Sequence, residues 1–204
     1  HLSKSSWHRR NKNTVHAVQE HFSVVARTLK RSEIPECKVY ISETAKERAN
    51  DVLGHFMTRK FLAVAPGANW PGKRWPASRY EDVIRKVAHK FEGIVVLGTE
   101  DDLDNDTFNL SASGLEGIDL RGKTDLQEAA AVLSKAQLFL GNDSGLGHVA
   151  AGVGVKTLTI FGPGEPKRYR PWGDRGRVIV APHRSLAKLD SEAVKDALYS
   201  LLDD

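Results

Sequence analysis

The 204-residue sequence predicts an α/β fold built on a doubly wound parallel sheet. Short apolar runs typical of buried strands alternate with amphipathic stretches that are long enough to be helices. Connections of helical length join parallel strands by right-handed crossovers, which places helices on both faces of one sheet. A glycine-rich turn at 141–147 separates one such strand from a helix, and turns of this kind bind ligands in this fold class.

The strands of the sheet are predicted from runs of apolar and β-branched residues. Six runs have this character: 61–65, 93–98, 118–120, 136–140, 156–161 and 177–181. A further short strand is predicted at 38–41, before the regular alternation begins.

The helices are predicted where apolar residues recur at intervals of three and four, or where small residues follow a turn. Seven segments have this character: 15–29, 42–57, 78–91, 102–112, 125–135, 149–153 and 191–202. Two of them begin with the spacing of a capping box, formed by Ser78 with Glu81 and by Asp125 with Glu128.

Composition and charge narrow the class of protein. The formal net charge of +4 is a mild basic bias that suits phosphorylated substrates or an anionic membrane face. No apolar run approaches the roughly 20 residues of a membrane span, and the N-terminus lacks the apolar core of a secretory signal. A single cysteine, Cys37, excludes an internal disulfide and suits a reducing compartment. Because the chain begins at His1 rather than Met, we expect it to be a fragment.

The turn at 141–147 has the properties of an anion site. A helix that begins in this turn offers free backbone N–H groups and about half a positive charge. Gly145 and Gly147 let a ligand approach the backbone closely, and Asp143 and His148 place a carboxylate and an imidazole beside the anion. The alternative is an ordinary turn in which Asp143 or Ser144 caps the helix.

Five blocks of sequence together resemble the heptosyltransferases of glycosyltransferase family 9, inverting enzymes that add heptose to the lipopolysaccharide core. The blocks are Gly-Asn-Asp-Ser-Gly-x-x-His within 141–157, Phe-Gly-Pro at 161–163 with Pro166, Pro-Trp-Gly at 171–173, Pro-Gly-Ala at 66–68 and Lys-Arg-Trp-Pro at 73–76. The resemblance implies that 59–204 is the Rossmann-like, C-terminal nucleotide-sugar-binding domain of a GT-B enzyme. Residues 1–58 are then the tail of the N-terminal domain and the interdomain linker.

The resemblance also implies partners and a location. The donor is expected to be an ADP-heptose-like nucleotide sugar, and the acceptor a lipid-linked or oligosaccharide molecule. The protein is expected to be cytoplasmic, with peripheral contact to the anionic inner membrane face and no nucleic-acid partner. The catalytic base is expected in the N-terminal domain, so no catalytic residue is assigned within this chain.

Seven residues at the predicted carboxyl ends of strands are candidates for substrate binding. A fixed cation in the loop after 61–65 can offset diphosphate charge, and a carboxylate after 93–98 can accept ribose hydroxyls. By resemblance, the phosphates are contacted by Lys73, the ribose by Glu100, the adenine by the backbone of Thr124 and the donor sugar by Asp143. Ser144 and Gly145 are expected to donate N–H and hydroxyl groups to the phosphates, and His148 to bond a phosphate or the sugar.

For several of these residues a purely structural interpretation stays open. Lys73 and Arg74 could be solvated surface cations, and Glu100 could belong to an acidic helix start. Trp75 is expected to anchor its loop on the core, while Trp70 and Trp172 are left unassigned. Five further histidines show no partner pattern and are not expected in the site: 16, 21, 55, 89 and 183.

Neither a cofactor nor a metal is expected. The Asp-x-Asp triplet Asp102-Leu103-Asp104 lies in a predicted helix, where side chains two positions apart face different directions. Two other functions are alternatives. Residues 145–150 match a G-x-G-x-x-A pattern, which would suit an NAD-type oxidoreductase fragment, but the pattern lies late in the chain. A non-catalytic module whose basic N-terminal arm binds nucleic acid lacks any aromatic-basic RNA motif.

Overall fold

Six parallel strands form the sheet in the computed structural model, which describes residues 15–105 and 108–203. The strands are β1 (Phe61–Ala65), β2 (Gly93–Val96), β3 (Gly117–Asp119), β4 (Leu138–Asn142), β5 (Lys156–Phe161) and β6 (Gly176–Val180). The α-helices are α1 (Ala17–Leu29), α2 (Glu43–Leu53), α3 (Ala77–Val87), α4 (Asp101–Asn105), α5 (Leu126–Leu133), α6 (Gly145–Gly152), α7 (Pro166–Tyr169) and α8 (Ser191–Asp203).

The strand order is β3-β2-β1-β4-β5-β6, and every neighbouring pair is parallel. After β3 the chain returns past β1 and continues outward on its other side. The order therefore reverses between β1 and β4, and the loops that leave these two strands diverge there. A doubly wound sheet binds its ligands in the crevice that such a reversal creates at the carboxyl ends of the strands.

The predicted burial of β1 on both faces is confirmed. Leu62 and Val64 pack into one core with α3 and α8, whereas Phe61, Ala63 and Ala65 pack into a second core with α2, α5 and α6. Alternate residues of a strand point to opposite faces, so a strand covered on both sides must be apolar throughout. Within the described part of the chain, no helix is long and apolar enough to cross a bilayer.

The predicted strand at 38–41 is wrong. Val39 lies in extended but unpaired chain, and its N–H donates to the carbonyl of Gly152 at 2.9 Å. A Cβ on Gly152 would lie 2.7 Å from a methyl carbon of Val39. The segment therefore packs on the end of α6, which explains its β-branched and apolar residues without any place in the sheet.

The predicted helix at 102–112 is also wrong, because α4 ends at Asn105 and a separate 3-10 helix follows at Leu110–Ser113. Residues 106 and 107 lie outside the described residues. The capping box at 78–81 is absent as well: Pro76 precedes α3 and makes no side-chain cap. Glu81 instead accepts the N–H of Asn109 at 2.8 Å, which ties α3 to the 3-10 segment.

The other element boundaries shift by a few residues. The capping box of Asp125 and Glu128 is confirmed, with reciprocal bonds of 2.7 Å and 2.9 Å. One of these shifts affects the site, since α6 begins at Gly145 rather than at 149. The glycine-rich turn is thus the first turn of the helix itself.

A buried amide at the end of β4 connects the two strands of the topological switch. The side chain of Asn142 is inaccessible to solvent, and its Oδ1 accepts the N–H of Trp75 at 3.1 Å and the hydroxyl of Tyr80 at 2.9 Å. Its Nδ2 donates to the carbonyls of Pro66 and Gly67, directly after β1. The loop that follows β1 is thus fastened at both its beginning and its end to β4.

We expect Asn142→Ala to destabilise the fold by about 3 kcal/mol, because it leaves several buried donors and acceptors unpaired at once. The measurement is the free energy of unfolding from urea titration. Tyr80→Phe is the matched control, since it removes one of these bonds and should cost about 1 kcal/mol. Equal effects of the two variants would show that Asn142 does not serve as the common acceptor and donor.

Candidate functional site

An ion pair crosses the switch point between β1 and β4. Lys73 lies in the loop that follows β1, and Asp143 follows β4 directly; Lys73 Nζ is 2.7 Å from Asp143 Oδ2. The carboxylate is buried and the lysine side chain is 31% exposed. The buried Oδ2 makes no directed hydrogen bond, so the contact is electrostatic and the ammonium can aim its N–H groups at a ligand.

A glycine in a third loop holds the Asp143 carboxylate from the other side. A Cβ on Gly164, in the loop after β5, would lie 2.3 Å from Asp143 Oδ2. The backbone of Asp143 is fixed as well, because its N–H donates to the carbonyl of Ile160 at 3.0 Å. The carboxylate therefore has a defined position among the loops that follow β1, β4 and β5.

The beginning of α6 remains open to a ligand. Ser144 occupies the N-cap position without a side-chain capping bond, and the side chain of Asp143 turns to Lys73 instead. The position of a Cβ on the exposed Gly145 has no atom within 4 Å. The first N–H groups of a helix have no intrahelical partner, and here neither predicted capping side chain covers them. The arrangement favours the anion site over the ordinary capped turn.

His148 lies near the start of α6, and the groups around it change the pKa of its imidazole. The residue keeps an exposed surface, yet desolvation by the groups packed around the ring lowers its pKa. Asp143 opposes this shift, whereas the neighbouring His16 and the Lys73 ammonium add to it. A neutral imidazole beside the anion site can donate one N–H, and a bound anion would favour its protonation.

His16 is one of the groups around His148, contrary to the sequence-based expectation. It is buried; its Nδ1 accepts the N–H of Val18 at 3.2 Å, and its Nε2 lies 2.9 Å from the carbonyl of Arg170. Its ring packs against Trp172 with centroids 4.7 Å apart. His16 therefore caps α1 and attaches it to the Pro-Trp-Gly loop. The sequence indicated neither role, because the predicted helix at 15–29 includes His16 and the partner of its Nε2 lies 154 positions away.

Glu100 and Thr124 lie at the ends of β2 and β3. Glu100 is exposed, and a Cβ on Gly122 would lie 3.2 Å from its Cα, so the loop of Thr124 runs beside it. Thr124 itself is half-buried. The structure thus brings these two residues to neighbouring loops on the same edge of the sheet as Lys73 and Asp143.

Asp102 has a structural role between the β1 and β2 loops. It is buried, and its Oδ2 accepts the N–H and the hydroxyl of Thr99 at 2.8 Å and 3.1 Å. A Cβ on Gly67 would lie 2.1 Å from its Oδ1. Among the described residues, no group of three or more His, Cys, Asp or Glu side chains is arranged to hold a metal ion.

The expectation for Trp75 is confirmed, since it is buried and its Nε1 donates to the carbonyl of Leu189 at 3.2 Å. Trp70 is 54% exposed, and Trp172 is half-buried against His16. The Nε of Arg74 donates to the carbonyl of Ala68 at 2.8 Å, so its guanidinium partly serves its own loop. Lys73 is the cation that this loop presents to Asp143.

A cavity of about 830 Å³ lies away from these residues. It is bounded by 34–41, by the end of α6 and by the segment 170–176. None of the seven predicted site residues lines it. The site at the switch point is identified by its polar groups and its place in the sheet.

Comparison with known proteins places this geometry in a family. The chain matches the model of glycosyltransferase family 9 (heptosyltransferase) over residues 1–198. Lipopolysaccharide heptosyltransferase 2 of Salmonella typhimurium is 27% identical over 166 residues, which are 72% of this chain and 48% of the relative. Lipopolysaccharide heptosyltransferase 1 of Escherichia coli is 32% identical over 90 residues, which are 44% of this chain and 28% of the relative.

Solved structures agree with these matches. The E. coli ADP-heptose lps heptosyltransferase II superposes with a TM-score of 0.71 at 25% identity, over 84% of this chain and 55% of that one. A glycosyl transferase family 9 protein of Veillonella parvula superposes with a TM-score of 0.81 at 22% identity, over 94% and 61%. The chain spans about half the length of the Salmonella relative and of the E. coli heptosyltransferase II structure. With the parallel sheet and the strand-end motifs, these matches show that the chain belongs to glycosyltransferase family 9, the heptosyltransferases.

Proposed function

We propose that this chain is the donor-binding part of an inverting heptosyltransferase. It would bind ADP-heptose or a related ADP-sugar, and together with an acceptor-binding half it would transfer the sugar to a lipopolysaccharide-core acceptor. The observation that carries the proposal is the Lys73–Asp143 ion pair, which lies beside the open N-terminus of α6 at the switch point of the sheet. Two findings support it. The chain belongs to glycosyltransferase family 9, and it has the fold of the E. coli ADP-heptose lps heptosyltransferase II.

The ion pair places a cation and a carboxylate side by side, and the two groups would bind different parts of the donor. Lys73 can stay beside Asp143 and direct its N–H groups to a diphosphate, while Asp143 accepts hydroxyl groups of the sugar. Ser144 and Gly145 would offer donors from the start of α6 to the phosphates, and His148 would contact a phosphate or the sugar. The exposed Glu100 would accept the ribose hydroxyls beside the adenine, which the backbone of Thr124 would face.

In the proposed reaction, an acceptor hydroxyl attacks the anomeric carbon from the face opposite the diphosphate. The bond between that carbon and the phosphate oxygen breaks, ADP leaves with the electron pair, and the hydroxyl proton passes to a base outside this chain. Negative charge grows on the leaving phosphate during this step. The N-terminus of α6, with about half a positive charge, and the Lys73 ammonium would stabilise this charge more strongly in the transition state than before reaction.

The positive charge available to a diphosphate is smaller than the number of nearby cations suggests. Lys73 is paired with Asp143, and Arg74 partly serves its own loop, so neither contributes a full free charge. When Asp143 accepts the sugar hydroxyls, Lys73 would turn its N–H groups to the phosphates, and it would face the diphosphate charge together with the start of α6. On this basis we propose that donor binding needs no divalent metal and no cofactor.

The proposed acceptor determines where in the cell the protein would act. A lipid-linked core acceptor would be met at the inner membrane face, and the net charge of +4 suits peripheral contact with anionic lipids there. An NAD-type oxidoreductase is not supported: the G-x-G-x-x-A pattern falls inside α6 after β4, and the chain belongs to a glycosyltransferase family.

The proposed roles of Asp143 and Lys73 predict different losses for ADP and for an ADP-sugar. Asp143→Ala should raise the Kd of the ADP-sugar about tenfold and that of ADP much less, because about 1.5 kcal/mol of bonding to the sugar is lost. Lys73→Ala should raise both Kd values by about tenfold, through loss of a charge-assisted bond to the diphosphate. The Kd values are measured by calorimetry with a chelator present.

Asp174→Ala, on an exposed position at the distant cavity, is the control and should leave both Kd values unchanged. The double variant should lose less than the sum of the single losses, since each partner of the pair leaves the other unpaired. Equal losses for ADP and ADP-sugar in Asp143→Ala would refute the sugar role of Asp143.

The lowered pKa of His148 predicts a pH dependence of donor binding. In the free protein the imidazole stays neutral below its usual 6.5, and a neighbouring diphosphate would raise the pKa, so the complex takes up a proton. Affinity for an ADP-sugar, whose diphosphate does not titrate in this range, should therefore rise about threefold from pH 7.5 to pH 5.5. His148→Gln should abolish the rise. A flat profile in the unaltered protein would place His148 at the sugar rather than at a phosphate.

We expect residues 1–204 alone to bind the donor without transferring sugar. Fusion to the N-terminal half of a family relative should produce turnover, because that half is expected to supply the acceptor pocket and the base. The measurement is ADP release with a core-type acceptor. Transfer by residues 1–204 alone at a comparable rate would show that the base lies in this chain.

A further inference from the structure

The turn after β6 has an unusual backbone. His183 and Arg184 are consecutive and both adopt left-handed conformations, with φ of 51° and 61°. For a residue with a Cβ this conformation is unfavourable, and two in succession are uncommon. The other non-glycine residue with positive φ in the described part of the chain is Lys30, which ends α1 in an ordinary helix cap. The turn at 183–184 has no such explanation.

The strained turn is fastened to the loop after β5 at two points. Arg184 Nη1 donates to the carbonyl of Gly164 at 2.8 Å. Two residues later, Leu186 is buried, and a Cβ on Gly162 would lie 2.7 Å from its Cγ. The turn is closed by backbone bonds from Arg184 to Ala181 and from Ser185 to Pro182, each 3.0 Å long. The left-handed pair thus directs the guanidinium back over the neighbouring loop.

The loop that Arg184 holds is the one that confines the Asp143 carboxylate. Gly164 accepts the guanidinium bond through its carbonyl, and its Cα lies against Asp143 Oδ2, where a Cβ would be only 2.3 Å away. On its other side, the same oxygen faces Lys73 Nζ at 2.7 Å. Arg184, Gly164, Asp143 and Lys73 therefore form one contiguous row from the edge strand of the sheet to its centre.

We propose that Arg184 is a positioning residue for the donor sugar. Through Gly164 it fixes the carboxylate of Asp143, and the left-handed turn is strain maintained to place its guanidinium. The inference rests on the proposed function, because it assigns the sugar-binding carboxylate a support that comes from β6. Backbone strain retained at a ligand site is a known compromise between stability and function.

The test compares glycine at each of the two strained positions. Glycine adopts positive φ without the steric penalty, so both Arg184→Gly and His183→Gly should leave the melting temperature equal to or above that of the unaltered protein. Arg184→Gly also removes the guanidinium, and it should weaken ADP-sugar binding about fivefold while the Kd of ADP changes less than about twofold. His183→Gly is the matched control and should keep both Kd values.

Two further variants separate positioning from other effects. Arg184→Lys retains one donor near Gly164 and should lose only part of the ADP-sugar affinity. Gly164→Ala displaces the carboxylate from the opposite side and should reproduce the selective loss of ADP-sugar binding. Unchanged ADP-sugar affinity in Arg184→Gly, or an equal loss for ADP, would overturn the proposal. Failure of the unaltered protein to bind any ADP-sugar would instead overturn the proposed function, and the positioning role with it.

Discussion

The structure depends on the side-chain amide of Asn142. A polar group without access to water must be fully bonded, and this amide reaches that state only when the start and the end of the loop after β1 both lie against β4. The position of Lys73 follows from this constraint, since it lies between the two fastened points. The ammonium can therefore meet a carboxylate that belongs to the next strand of the sheet. Packing alone would leave the loop free to move relative to β4.

The carboxylate of Asp143 is held by charge on one side and by shape on the other. Lys73 attracts it, and the missing side chain of Gly164 gives it room. The two contacts come from different strands and do not substitute for each other. A lysine without the glycine would leave the carboxylate sterically blocked, and a glycine without the lysine would leave a buried charge uncompensated. Three of the sequence motifs therefore meet at this carboxylate. They are the segments around Lys-Arg-Trp-Pro, Gly-Asn-Asp-Ser-Gly and Phe-Gly-Pro.

The sequence predicted those parts of the fold whose causes are local. β1 was predictable because burial on both faces requires an unbroken apolar run, and the cap of α5 because its partners lie three residues apart. The strand at 38–41 failed because burial against α6 selects the same residue types as burial in a sheet. The cap at Ser78 failed because Glu81 has a distant partner that a local pattern does not reveal.

The same distinction applies to the site. Residue types at strand ends indicated Lys73, Glu100, Asp143 and the start of α6, since parallel strands bring their carboxyl ends to one edge. Their pairing was not predictable, nor was the role of His16, because these contacts depend on how the loops fold over one another. Asn142 lay inside the recognised motif, yet only its burial and its four contacts distinguish it from a polar neighbour.

The bonds of Asn142 also bear on how the protein folds. They join residues 62 to 76 positions apart, and between them the chain must complete β2, β3 and α5 before it returns to the centre of the sheet. Contacts of such sequence separation form slowly, because loop closure is entropically costly before any pairing compensates it. The site is therefore complete only when the chain on both sides of the switch point has joined one sheet. A ligand that recognises the site binds the folded sheet and stabilises it against the unfolded chain.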